Sequence, residues 1–159
     1  MSKRRIVIAV DPGKASGVCC FAFDNSDPEL LMSGEYQPGE FAEPLRRLVR
    51  SSQETWIEPE IVCERFTINA QTVRNSQAPY SLEQIGVLKQ IMRDAGIDEN
   101  TLKFQSPADA KRMFTNENVR KLGYWHKGGE GHAIDAIRHG LLYLAKNGWT
   151  PLKLLRQDY

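Results

Sequence analysis

Unbroken apolar runs separated by short polar breaks fill the first 36 residues, and helical periodicity takes over in most of the remaining chain. Residues 6–10 are apolar throughout and β-branched but for Ala9, the pattern of a central strand buried on both faces. The break at 11–17, DPGKASG, carries turn formers in Pro12 and Gly13, and residues 18–23 read as a second strand, so the two make a hairpin. A weaker third strand spans 30–36. After Pro38 and Gly39, Leu45, Leu48 and Val49 recur at helical spacing between arginines, which predicts an amphipathic helix from near Glu40 with Pro44 in its first turn. Residues 60–63 return to strand pattern and end in Glu64. The polar stretch 65–80 reads as a long loop, and Ser81 with Gln84 as a capping box opening a helix striped by Leu82, Ile85, Leu88 and Met92 that closes near Gly96. A fifth strand is expected at 101–104. Helices come next at 107–113 and 116–122, the second with Asn116 as N-cap and Gly123 past its end. The glycine-rich HKGGEGH then leads into a last helix over 132–146.

The order of three strands, helix, strand, helix, strand and C-terminal helices predicts an α/β domain whose mixed sheet is antiparallel early and parallel late. With 159 residues, 41% hydrophobic and 26% charged, the chain fits one domain, 1–159. A net charge of +1 provides no long-range field for a polyanion, so any nucleic-acid reading rests on local clusters such as Lys3-Arg4-Arg5, Arg46-Arg47-Arg50, Lys111-Arg112 and Arg120-Lys121. Cys19, Cys20 and Cys63 lie in strand-like segments without zinc-ligand spacing and read as reduced core thiols. No apolar run has the length of a membrane span or a leader's central segment. The expected protein is soluble and cytoplasmic.

Two acids, Asp11 and Glu64, close apolar strands. If those strands are neighbours, both carboxylates emerge at one sheet edge. Asp135 and His132 stand three residues apart at the start of the last helix, on adjoining faces. A first turn packed toward the acids would complete a four-ligand cluster of hard donors suited to Mg²⁺ or Mn²⁺. Two such ions perform phosphodiester cleavage in nucleases. Each residue also has a plain structural reading: a turn, a strand-end acid, a helix N-terminus that favours negative charge. Together they point to a metal centre.

With these residues in place, the chain resembles the RuvC-type Holliday-junction resolvases of the RNase H-like superfamily. "IVIAVDPGKASGVCCF" is similar to that family's first hairpin, "IVCERF" to the strand ending in its second acid, and "HAIDAIRHGLLYL" to its final helix. The resemblance implies an RNase H-like five-stranded mixed sheet flanked by helices. It implies a divalent-metal-dependent endonuclease that resolves Holliday junctions in branched DNA by paired nicks. Asp11, Glu64, His132 and Asp135 would be metal ligands, His132 standing where many members have Asp, and two Mg²⁺ or Mn²⁺ ions would serve each site. "FQSPADAKRMF" makes Lys111 a phosphate-binding or catalytic lysine. Arg65, Phe66, Ile68, Arg74, Tyr80, Arg112, Arg120 and Lys121 become candidate DNA contacts, although the family's junction-distorting aromatic stands further from its second acid than Phe66 does here. A homodimer is implied, for which the 82–92 helix, its apolar surface widened by Val87 and Ile91, is a candidate face, the alternative being that this helix packs on its own sheet; a compact stand-alone enzyme of this kind suits a phage working in host cytoplasm.

Rivals stay open. A broader flap or fork endonuclease and a YqgF-like RNA-processing nuclease share the fold, and a catalytically silent branched-DNA-binding module would keep it without the chemistry. An actin-like ATPase needs a second phosphate-binding lobe, for which this chain is too short.

Overall fold

In the computed structural model, which describes residues 3–74 and 78–156, five strands form one sheet in the order β3-β2-β1-β4-β5. β1 (Arg5–Asp11), β2 (Ser16–Phe23) and β3 (Glu29–Tyr36) pair antiparallel. β4 (Glu60–Glu64) and β5 (Lys103–Gln105) run parallel to β1 on its other side. Helices make the parallel crossovers: α1 (Ala42–Glu54) before β4, then α2 (Ala70–Arg74) and α3 (Ala78–Asp94) before β5. α4 (Pro107–Met113), α5 (Asn116–Leu122), α6 (His132–Lys146) and the short α7 (Leu152–Leu155) complete the chain.

Strand alternation assigns the two faces of the sheet. Ile6, Ile8 and Val10 of β1 meet Phe41, Leu45 and Val49 from the α1 side and Leu88 and Met92 of α3. Val7 and Ala9 face the other way, onto Phe114, Ile137 and Leu141 from the region of α4 to α6. Burial on both faces is why β1 and β2 carry unbroken apolar runs. Complete burial of a side chain such as Phe21 or Leu141 contributes about 1.5–3 kcal/mol.

Several local expectations change. The stretch expected as loop at 65–80 contains α2 and the start of α3; positions 75–77 lie outside the described residues. Ser81 is not a cap, because α3 starts earlier, at Ala78; its hydroxyl instead donates to the Pro12 carbonyl at 3.1 Å, satisfying a buried turn. Thr115, not Asn116, caps α5, accepting from the Asn118 N–H. The fifth strand shifts to 103–105 because residues 99–101 wind into a 3₁₀ turn capped by Asp98. Ile91 is 2% exposed and belongs to the core, so it does not widen an outer face of α3.

Candidate active site

A row of residues crosses the sheet at the end where β1 and β4 terminate. Asp11 pairs with Gly17 on β2, and Gly17 with Glu35 on β3. On the other side Val10 pairs with Cys63, so Asp11 and Glu64 are the next residues along, and Glu64 pairs with Gln105 on β5. Alternation aims Asp11 the same way as Val7 and Ala9, and Glu64 the same way as Val62, toward α6. The edge formed by the carboxyl ends of parallel strands is where open α/β sheets commonly bind ligands.

α6 lies over this row and each row position accommodates it. Glu35 accepts hydrogen bonds from the backbone N–H of Glu130 and of His132, each at 3.0 Å, and so caps the start of the helix from across the sheet. Gly17 leaves space for the helix backbone, since a Cβ there would fall 1.9 Å from the His132 carbonyl oxygen. His132 Nδ1 lies 3.1 Å from Asp11 Oδ2. Further along the helix, His139 Nε2 lies 2.9 Å from Glu64 Oε2. The Gln105 amide nitrogen sits 2.9 Å from the His139 carbonyl oxygen and 3.2 Å from its Nδ1. That nitrogen can only donate, so Nδ1 accepts, the ring proton is on Nε2, and His139 donates to Glu64.

Asp135 takes a different partner. Arg138 Nη1 meets Asp135 Oδ1 at 2.5 Å, while its Nε donates to the Phe114 carbonyl and its Nη2 to Asn116. One guanidinium, 9% exposed, therefore ties Asp135 to the α4–α5 junction. Each of the three acids thus has one oxygen oriented by a partner, and the other makes no hydrogen bond among the described residues.

Charge at the row is not balanced. Burial raises the Asp11 carboxyl to about 6; the His132 hydrogen bond pulls the other way, and the charges of Glu64 and Asp135 add to the rise. His132 is raised too, chiefly by its hydrogen bond to Asp11 and against its partial burial, with the charges of Asp11, Glu35 and Asp135 adding. Asp11, Glu64, Asp135 and His132 are brought to one edge, as the spacing of acids and strands predicts, but they are not drawn into a closed set. Among the described residues, the group whose ligand atoms all lie within 4.8 Å of one another is Glu35, Glu130 and His132. Glu64 is oriented by His139 and Asp135 by Arg138.

The other predicted residues are scattered. Lys111, on α4, lines the same cavity as Asp135. Arg65, Ile68 and Arg74 are exposed along the segment leaving β4, and Phe66 and Tyr80 are half-buried there. Arg112 pairs with Asp109 on its own helix, Arg120 lies 3.7 Å above the Trp125 ring, and Lys121 is exposed beside it. Glu35, Gln105, Arg138 and His139 are absent from the sequence prediction. The two on α6 carry a signal, since His139 comes four residues after Asp135 and Arg138 three; Glu35 and Gln105 are visible only through strand register.

No protein-family model matches the chain, and no curated protein does. Two solved structures from Thermus thermophilus share its architecture. One is RuvC in complex with Holliday junction substrate, at a TM-score of 0.63 and 19% identity over 91% of this chain and 97% of that one. The other, a structure of RuvC, gives 0.62 and 19% over 90% and 96%. The fold is that of RuvC. Its five-stranded mixed sheet flanked by helices is the RNase H-like arrangement expected from the order of elements. No helix among the described residues is long and apolar enough to cross a membrane.

Proposed function

We propose that this chain is a divalent-metal-dependent endonuclease that cuts phosphodiesters in branched DNA and resolves four-way junctions by paired nicks. The observation that carries this reading is the placement of Asp11 and Glu64 at the ends of adjacent strands, under the helix turn bearing His132 and Asp135. A fold shared with a RuvC structure holding Holliday junction substrate supports the choice of DNA.

The donor set suits Mg²⁺ or Mn²⁺: three carboxylates and an imidazole are hard ligands, and burial, with the charges of Glu64 and Asp135 adding, raises the Asp11 carboxyl. Asp11, Glu64 and Asp135 would hold two ions, with His132 as fourth ligand or as general acid/base. Bound there, such ions supply an activated water and neutralise charge at the departing oxygen. His132, held by Asp11 and biased toward its protonated form, is placed to deliver a proton to that oxygen. Lys111, on the approach to Asp135, steadies the phosphate as its charge grows. Arg65, Phe66, Ile68, Arg74 and Tyr80 along one segment, with Arg112, Arg120 and Lys121 on α4 and α5, contact the arms, and two copies act on opposed strands.

The test is cleavage of a labelled four-way junction, a 5′ flap, a linear duplex and a structured RNA in Mg²⁺, Mn²⁺ or EDTA, beside Asp11→Asn. Metal-dependent paired nicks confined to the junction and lost in Asp11→Asn are expected. Stronger flap cleavage would make the protein a general branched-DNA nuclease. Cleavage of the RNA alone, or tight junction binding with no cleavage in any metal, would overturn the proposal.

A further inference from the structure

Beside the acids lies a trough of about 830 Å³ between the α4–α5 region and the glycine-rich loop before α6. Its size falls within the ~300–1,000 Å³ of small-molecule sites. Its walls include Lys111, Glu117, Trp125, Glu130, Asp135 and Arg138. Two features make it more than a surface dent. Trp125 is set firmly: the preceding Tyr124 stacks edge-on against Phe21 at 5.4 Å and bonds the Pro28 carbonyl, and His126 on its other side meets the Ser33 hydroxyl at 2.7 Å. Arg120, which is not part of the trough wall, covers the indole at 3.7 Å. The glycine wall is tethered to the sheet by Glu35, which accepts from the Glu130 N–H, and its Gly128, Gly129 and Gly131 take positive φ.

The charges select the ligand. Glu117, Glu130 and Asp135 outnumber Lys111 and Arg138, and Arg138 is already engaged by Asp135. A free phosphate would meet net repulsion there except beside Lys111. A neutral heterocycle would pack on the part of the indole that Arg120 leaves to the trough and offer its N–H groups to the carboxylates of Glu117 and of Glu130, the latter within 4.8 Å of Glu35 and His132. Resting on the nuclease reading above, we propose that the trough receives one unpaired nucleobase of the strand being cut, favouring bases with an exocyclic amine over thymine, while Lys111 of the wall meets the adjoining backbone. Asp135, on the turn of α6 over the acid row, also lines the trough, so seating the base fixes the neighbouring phosphodiester against the acids. Stacking of one base on an aromatic side chain changes affinity by about 5- to 150-fold.

The experiment uses Asp11→Asn protein bound to four-way junctions that carry 2-aminopurine, an amine-bearing fluorescent base, at successive unpaired positions near the branch. Strong quenching at one or two positions is expected, reduced at least about fivefold by Trp125→Leu and retained by Trp125→Phe. A Glu117→Gln/Glu130→Gln pair, which leaves the indole in place, should erase the preference for amine-bearing bases over thymine in competition binding. Equal quenching with Trp125→Leu at every position, or no quenched position at all, would overturn the proposal. Failure of the nuclease reading is separable, because it shows in the wild-type cleavage assay. A protein that never cuts but quenches through Trp125 keeps its base pocket, and one that cuts without such quenching lacks it.

Discussion

At the scale of single residues, Asp11 controls the behaviour of the site with pH. Its carboxyl is raised from 3.8 to about 6, so the folded chain binds a proton more tightly than the unfolded one across that interval. The stabilisation is complete below pH 3.8 and is lost as pH rises toward 6. His132, raised from 6.5, acts in the same direction at higher pH: its contribution is present below 6.5 and lost as pH rises through its folded value. Metal-free protein should therefore show a Tm that falls as pH rises from 4 past 6.5. A bound divalent ion opposes that trend, since it favours the carboxylate. The gain in Tm from Mg²⁺ or Mn²⁺ should be larger at pH 7.5 than at pH 5, and absent in Asp11→Asn. That variant, relieved of a buried charge, should melt higher than wild type in EDTA at pH 7.5. A metal-induced gain that survives in Asp11→Asn would place the ion elsewhere. Gln105 governs a second residue-level effect. Gln105→Leu leaves His139 Nδ1 and the His139 carbonyl without their shared donor and frees the ring to change tautomer, which turns its donated hydrogen bond away from Glu64. The expected cost is about 1–3 kcal/mol in stability with a drop in kcat at unchanged KM. Gln105→Glu tests the same link from the other side, because a carboxylate accepts rather than donates at Nδ1, and wild-type kcat in both variants would break it.

The decisive element is α6, which is fixed at both ends. At the start, Glu35 caps it and Gly17 makes room for its first carbonyl. Toward the other end, Tyr143 donates to Glu60, whose carboxylate also accepts two 2.7 Å bonds from Arg5, and Arg5 reaches the Asn147 carbonyl just past the helix. Gly17→Ala must push the first turn away from the sheet, because nothing flexible lies in the path of the new Cβ. It should cost about 1–3 kcal/mol and weaken the metal-linked gain in Tm. A variant with wild-type Tm and an intact metal response would show that α6 is not seated on Gly17. Elements written in local pattern are legible in the sequence, and those set by distant partners are not. α6 is legible to the residue, since 132–146 carries its periodicity and its Asn147-Gly148 stop, and the hairpin is legible from Pro12 and Gly13 between apolar runs. α3 is misplaced at its start because Ser81 looks like a cap until Pro12, 69 residues away in sequence, claims its hydroxyl. Asp11, Glu64, His132 and Asp135 stand out as acids and an imidazole at element ends. Glu35 and Gln105 do not, because only the pairing of β2 with β3 and of β4 with β5 brings them into the row.

At the scale of the whole molecule, paired nicking needs two sites facing opposed strands, and the described residues of one chain hold a single acid row. The face of α3 offered by the apolar pattern narrows once the fold is known. Leu88, Ile91 and Met92 are spent on the core, while Leu82 is 48% exposed, Gly86 opens onto space, and Val87 is half-buried. Val73, 59% exposed, adds apolar surface on the segment before α3. A second copy meeting the chain along the Leu82–Gly86 side of α3 would cover what single chains leave bare, and the small Gly86 would let two helices approach closely. Light scattering after size exclusion should then give twice the chain mass. Leu82→Glu, which sets like charges against each other across a two-fold contact, should return the single mass without lowering stability by more than about 0.5 kcal/mol, since the position is on the surface. In the junction assay that variant should convert paired incisions into isolated nicks at a slower rate while leaving metal dependence intact. A wild-type protein that runs as a monomer and still makes paired nicks would remove α3 from the assembly and require both cuts to come from successive visits of one acid row.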